Sequence, residues 1–103
     1  MDQTLQNQVA IVVGSSSGMG RSTALAFGAA GAKLVLAARS ADKLAALATE
    51  IGDQALACPT DIQDATAVQQ LIATTLEKFG RIDILVYATG ANIPQRSLEV
   101  LSN

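Results

Sequence analysis

Histidine and tryptophan are missing altogether, cysteine occurs once, proline twice, and the aromatics are two phenylalanines and one tyrosine. Each scarcity excludes something. Without histidine the usual base that takes a proton from a nucleophilic serine is absent. One cysteine makes neither an internal disulfide nor a cysteine-rich metal site, so Cys58 reads as a small buried hydrophobe. No apolar run approaches the ~20 residues of a membrane span, and the opening MDQTLQNQ has neither the basic start nor the apolar centre of an export signal. Seven Lys and Arg against nine Asp and Glu leave a net charge of −2, with no basic stripe interleaved with aromatics. Nucleic acid is therefore not an expected partner. Together these absences predict a cytoplasmic chain with no membrane partner and no metal site.

What is there is a strict alternation. Half of the 103 residues are apolar, enough for one small domain that buries ~60–65% of the surface its unfolded chain exposes. Val9 to Val13 (VAIVV) is a β-branched run that suits a strand buried on both faces. A helix is predicted from about Met19 to Ala30, with Ala24, Leu25, Phe27 and Ala30 facing inward and Gly31 as its stop. Lys33 to Ala37 (KLVLA) is a second buried strand. Ser40 caps a second helix, in which Leu44, Leu47, Ala48 and Ile51 recur at helical spacing before Gly52. Gln54 to Cys58 is a weaker third strand closed by Pro59. Asp64 caps a third helix with the stripe Val68, Leu71, Ile72, Thr75, Leu76 and Phe79, stopped by Gly80. Asp83 to Ala88 (DILVYA) is a fourth strand, and the tail after Gly90 starts as loop before the opening of a helix at Ser97. Strands separated by helices imply an α/β fold with a parallel sheet and right-handed crossovers.

The chemistry turns on Ile11 to Ser22, IVVGSSSGMGRS. Gly14-Ser15-Ser16-Ser17-Gly18 satisfies the G-x-S-x-G elbow of serine hydrolases, between a strand and a helix as that motif requires. Ser16 would then attack an acyl carbon, but no histidine exists to activate it. The other reading takes Gly14, Gly18 and Gly20 as the working residues. The first turns the chain off the strand, the second lets backbone approach a ligand, and the third lets helix pack on strand. The helix N-terminus that follows favours a pyrophosphate, with Ser16 and Ser17 adding hydroxyl donors. No Gly-Lys-Ser/Thr follows, so it is not a Walker loop. Taken alone, the cluster also fits a simple tight turn, but its place at the end of a buried first strand favours the phosphate cradle.

From Val13 to Gly20 the chain resembles the Thr-Gly-x-x-x-Gly-x-Gly opening of the short-chain dehydrogenase/reductase family, with Val13 in place of the threonine. The resemblance runs from Gln8 onward. It implies a Rossmann-like doubly wound parallel sheet, here partial, with four strands in the order 3-2-1-4 and helices on both faces. Residues 1–103 would be the N-terminal part of a single NAD(P)-binding domain, truncated relative to the family. The fourth strand, DILVYA, would then be an apolar edge with one uncovered face, a surface that invites another chain.

The resemblance also assigns a cofactor site. Gly14, Ser16, Ser17, Gly18, Met19 and Gly20 would hold the pyrophosphate. Where an NAD-selective enzyme places an acid about 20 residues after the loop, this chain has Ala38, followed by basic Arg39 and by Ser40. A guanidinium there would grip a 2′-phosphate, favouring NADP(H) over NAD(H); the plain alternative is an Arg39 that faces solvent. Asp61 and Ile62 match the family's adenine-pocket pair, Asp61 accepting from the adenine amino group and Ile62 packing on the ring; the plain alternative is an Asp61 that only organises its turn. Tyr87, Ala88 and Gly90 stand where the family has Asn-Asn-Ala-Gly, of which Gly90 alone is identical. Ala91, not lysine, lies four residues after Tyr87, so Tyr87 reads as packing. No catalytic serine or Tyr-x-x-x-Lys occurs, hence no catalytic residue is assigned and the 103 residues alone are expected to be inactive.

The function so implied is that of an NADP(H)-dependent oxidoreductase interconverting an alcohol and a carbonyl by hydride transfer, with this chain supplying the dinucleotide-binding half. A small alcohol or carbonyl would be its substrate and a homo-oligomer its assembly. Two readings stand beside it: a non-catalytic NADP(H)-binding module or partner-dependent half-domain, and an interaction piece whose fourth strand is the working surface.

Overall fold

The computed structural model describes residues 4–14 and 18–88. Ser15 to Ser17, and everything from Thr89 onward with the expected helix start at Ser97, lie outside the described residues.

Strand β1 (Val9–Val13) is buried at every residue, because it lies inside the sheet. It pairs in parallel with β2 (Lys33–Ala38) on one side, Val13 opposite Ala37, and with β4 (Ile84–Tyr87) on the other, Val13 opposite Tyr87. Beyond β2 lies β3 (Ala55–Pro59), giving one parallel sheet in the order β3-β2-β1-β4. The expected order is the observed one.

Three helices connect the strands: α1 (Gly18–Ala29), α2 (Ala41–Ile51) and α3 (Ala65–Phe79). The chain moves outward from β1 through β2 to β3, and right-handed crossovers put α1 and α2 on the same face. The return to β4 reverses direction and puts α3 on the other. The period of two along each strand divides the core accordingly. Ala10, Val12, Leu34 and Leu36 pack with Ala24 of α1 and Leu44 and Leu47 of α2, whereas Ile11, Val13, Val35 and Ala37 pack with Leu71 of α3. Both faces of the strands are therefore used, which is why the two inner strands carry almost unbroken apolar runs.

Local signals end the helices where the sequence places them. The Asp64 carboxylate accepts from the backbone N–H groups of Thr66 at 3.0 Å and Ala67 at 3.4 Å, capping α3. Gly80 closes it in the left-handed region, its N–H donating to the Leu76 carbonyl at 2.8 Å. Ser40 caps α2 through a long bond from Lys43 N to Oγ at 3.5 Å.

Three expectations need correction. Helix α1 starts at Gly18 rather than Met19 and ends at Ala29. Strand β3 starts at Ala55 and takes in Pro59 instead of ending before it. Thr60 N donates inward to the Ala38 carbonyl at 2.8 Å, so the alternation of the strand turns position 59 toward the outer edge, where a missing N–H costs no ladder bond. In α3, Leu76 is 46% exposed while Thr75 is wholly buried. The sheet-facing line runs through Leu71 and Thr75, whose hydroxyl donates to the Leu71 carbonyl at 2.8 Å and so enters the core satisfied; Leu76, one residue on, is rotated away. In β4 every residue is half-buried, Ile84 and Val86 beside one core cluster and Leu85 and Tyr87 beside the other.

Candidate functional site

The carboxyl ends of the four strands bring most of the described candidate residues to one rim. In a parallel sheet whose order reverses between β1 and its neighbours, that rim is where ligands settle, because the crossovers leave a crevice there. Gly14 follows β1 directly, with φ +84°, a backbone region that L side chains rarely adopt, and its N–H donates to the Ala37 carbonyl at 2.7 Å. The turn off the strand is therefore one that glycine alone makes cheaply. Ser16 and Ser17 lie outside the described residues.

Helix α1 opens at Gly18, pointing its first N–H groups toward the rim. A Cβ added at Gly18 would meet no described protein atom within 4 Å; internal packing does not account for the glycine there. Met19 is 70% exposed, and Gly20 is buried.

Arg39 and Asp61 extend from the ends of β2 and β3, which are held side by side by the Ala38–Pro59 pairing. Arg39 Nη2 lies 3.4 Å from Asp61 Oδ1, and these two residues with Pro59 and Thr60 line an open cleft of about 440 Å³. The side chains remain 68% and 49% exposed. Asp61 Oδ1 also accepts from Gln63 N at 3.0 Å, and the Asp61 carbonyl accepts from Asp64 N at 2.9 Å. The carboxylate thus organises its own turn and at the same time faces the cleft. Ser40 is drawn into capping α2. Ile62 is half-buried against the Leu71 side of the core, so its side chain is committed to packing. Tyr87 packs against the same cluster. Ala88 is buried and continues the ladder, donating from N to the Val13 carbonyl at 2.8 Å. Gly90 lies outside the described residues.

Two contributors were missed by sequence reasoning. Pro59 and Thr60 wall the cleft, and Thr60 is buried, its hydroxyl donating to the Cys58 carbonyl at 2.8 Å. Their place in the chain, straight after a strand in the same P-T-D-I run as Asp61, was the available signal.

This donor set suits one end of a dinucleotide. A cation stands at the end of β2, where Ala38 leaves no acid to repel a phosphate; a carboxylate stands across the cleft; and a glycine turn leads into a helix N-terminus at the neighbouring strand. Among the described residues no cluster of His, Cys, Asp and Glu could hold a metal ion, and no helix is long and apolar enough to cross a membrane.

Comparison with known proteins points the same way. The family model for short chain dehydrogenase matches residues 8–103. A 3-oxoacyl-[acyl-carrier-protein] reductase from Synechocystis is 43% identical over 90 residues, covering 84% of this chain and 36% of that protein. Among solved structures, a hydroxysteroid dehydrogenase from Escherichia coli superposes with a TM-score of 0.79 at 34% identity, over 84% of this chain and 37% of that one. A 3-ketoacyl-(acyl-carrier-protein) reductase from Brucella melitensis complexed with NADH gives 0.77 at 40% identity, over 79% and 33%. The chain spans about a third of the length of these relatives.

Proposed function

The chain belongs to the short-chain dehydrogenase family, and from that premise we propose that it supplies the NADP(H)-binding half of an oxidoreductase that interconverts an alcohol and a carbonyl. Bound there, a nicotinamide dinucleotide supplies or accepts the hydride. This chain's own residues bind and orient it. Gly14 and the α1 N-terminus receive the pyrophosphate together with Ser16, Ser17, Gly18, Met19 and Gly20; Asp61 accepts from the adenine amino group, with Ile62 beside it; Tyr87, Ala88 and Gly90 pass beneath the ribose; Arg39, next to Ser40, grips the 2′-phosphate. Residues 1–103 are read as the first part of one domain, in a cytoplasmic protein that assembles with copies of itself. Proton transfer at the substrate oxygen falls to residues beyond these, since no Tyr-x-x-x-Lys occurs among them.

The observation that carries the proposal is the placement of Arg39 at the lip of the cleft opposite Asp61, with Ala38 where an acid would select NAD. A charge-assisted bond of ~1.5–3 kcal/mol from Arg39 to a 2′-phosphate favours NADPH by roughly ten- to a hundredfold. The test is the ratio of NADPH to NADH affinity in the wild type and in Arg39→Ala. The ratio should collapse toward one in the variant; a preference that persists without Arg39 would refute this assignment.

A further inference from the structure

We propose that the Arg39–Asp61 ion pair is a latch across the adenosine end of the cleft, parted whenever a dinucleotide binds, so that it penalises ligands lacking a 2′-phosphate. The inference rests on the adenosine reading of this cleft. Its starting point is that one carboxylate oxygen is claimed twice. Asp61 Oδ1 accepts from Gln63 N at 3.0 Å and faces Arg39 Nη2 at 3.4 Å. The bond to Gln63 lies within the turn and fixes the carboxylate. Arg39, by contrast, reaches across from the next strand end on a long side chain that is 68% exposed. Asp61 is the fixed post and Arg39 the moving arm.

With the arm across, the guanidinium sits on Oδ1 and offsets the charge that the carboxylate would present to a base amino group. Parting the pair has unequal consequences for two classes of ligand. A ligand with a 2′-phosphate offers Arg39 a dianion in exchange for the carboxylate, so the guanidinium changes partner without losing one. A ligand without it returns the guanidinium to water and recovers nothing. The pair therefore adds a second source of discrimination to the direct grip of Arg39 on phosphate, and Asp61 acts in it as a positioning residue for Arg39. An ion pair this exposed holds the closed arrangement only weakly, which limits the penalty to about two- to fivefold in affinity.

Arg39→Ala separates the two effects, read by calorimetric titration of the protein as its source cell makes it. The probes are ADP-ribose and 2′-phospho-ADP-ribose, which carry no nicotinamide and need no turnover. Removing the arm should tighten ADP-ribose about two- to fivefold while weakening 2′-phospho-ADP-ribose about tenfold or more. Arg39→Gln, neutral but of similar bulk, should behave alike, and circular dichroism checks that both variants keep the fold. Raising the salt to about 1 M, where the screening length falls to about 3 Å, should close the ADP-ribose gap between wild type and variants. ADP-ribose binding that is unchanged or weaker in the variants overturns the latch, as does a gap that survives high salt, which would mean steric obstruction instead. Tightening of both ligands by the same factor would uphold the obstacle to the base and refute the 2′-phosphate role of Arg39.

Discussion

Asp83 shows how much a single side chain does that its place in the sequence conceals. It stands just before β4, where it reads as the first residue of the strand. Instead it brackets Val9: its Oδ2 accepts from Val9 N at 2.8 Å and its own N–H donates to the Val9 carbonyl at 2.8 Å, while Oδ1 accepts from Arg81 Nη2 at 2.7 Å. The Arg81 guanidinium first, and the Val9 N–H second, hold the Asp83 carboxyl below its ordinary range. A carboxyl depressed in the folded state contributes stability above its unfolded value of about 3.9, and that contribution is lost as pH falls through the lower folded value. Asp83→Asn is accordingly expected to lower the urea midpoint at pH 7 and to differ less from the wild type at pH 3. An equal loss at both pH values would show that the carboxylate's charge is immaterial. At the same scale Arg39 and Asp61 were legible as individual residues, from their positions at two strand ends. Their mutual contact was not, because the pairing of Ala38 with Pro59 is set by sheet register rather than by local pattern.

At the scale of elements, caps and apolar periods predicted all seven elements in order, and α2 to the residue. Ser40 and Gly52 frame α2, and Asp64 and Gly80 frame α3, because each satisfies backbone groups that the helix itself leaves unpaired. Misreadings came where tertiary packing, not local pattern, decides. Leu76 looks like core but is rotated outward; packing likewise decides the role of Gly28 in α1. A Cβ at Gly28 would come within 2.9 Å of Ile51 Cγ2, so the glycine is what lets α1 lie against α2. Its carbonyl also accepts from Gln54 Nε2 at 2.9 Å, tying the helix to the start of β3. Gly28→Ala would gain up to about 1 kcal/mol from helix propensity, and overpacking of about 1–3 kcal/mol outweighs it. Net destabilisation in chemical denaturation is expected, relieved when Ile51→Val is added. A stabilised single variant, or a double variant no better than Gly28→Ala, would show that the contact yields freely.

For the whole molecule, the order β3-β2-β1-β4 and the division of helices between two faces follow from the handedness of crossovers once seven alternating elements are recognised. That logic also places the candidate site, since the carboxyl ends of parallel strands share one rim. The central claim is that this rim holds a dinucleotide and prefers the 2′-phosphorylated form. Its most direct test is equilibrium titration of the unmodified protein with NADPH and, separately, with NADH. The account predicts saturable one-to-one binding of both, with NADPH tighter by roughly ten- to a hundredfold; equal affinities, or binding of neither, would contradict it.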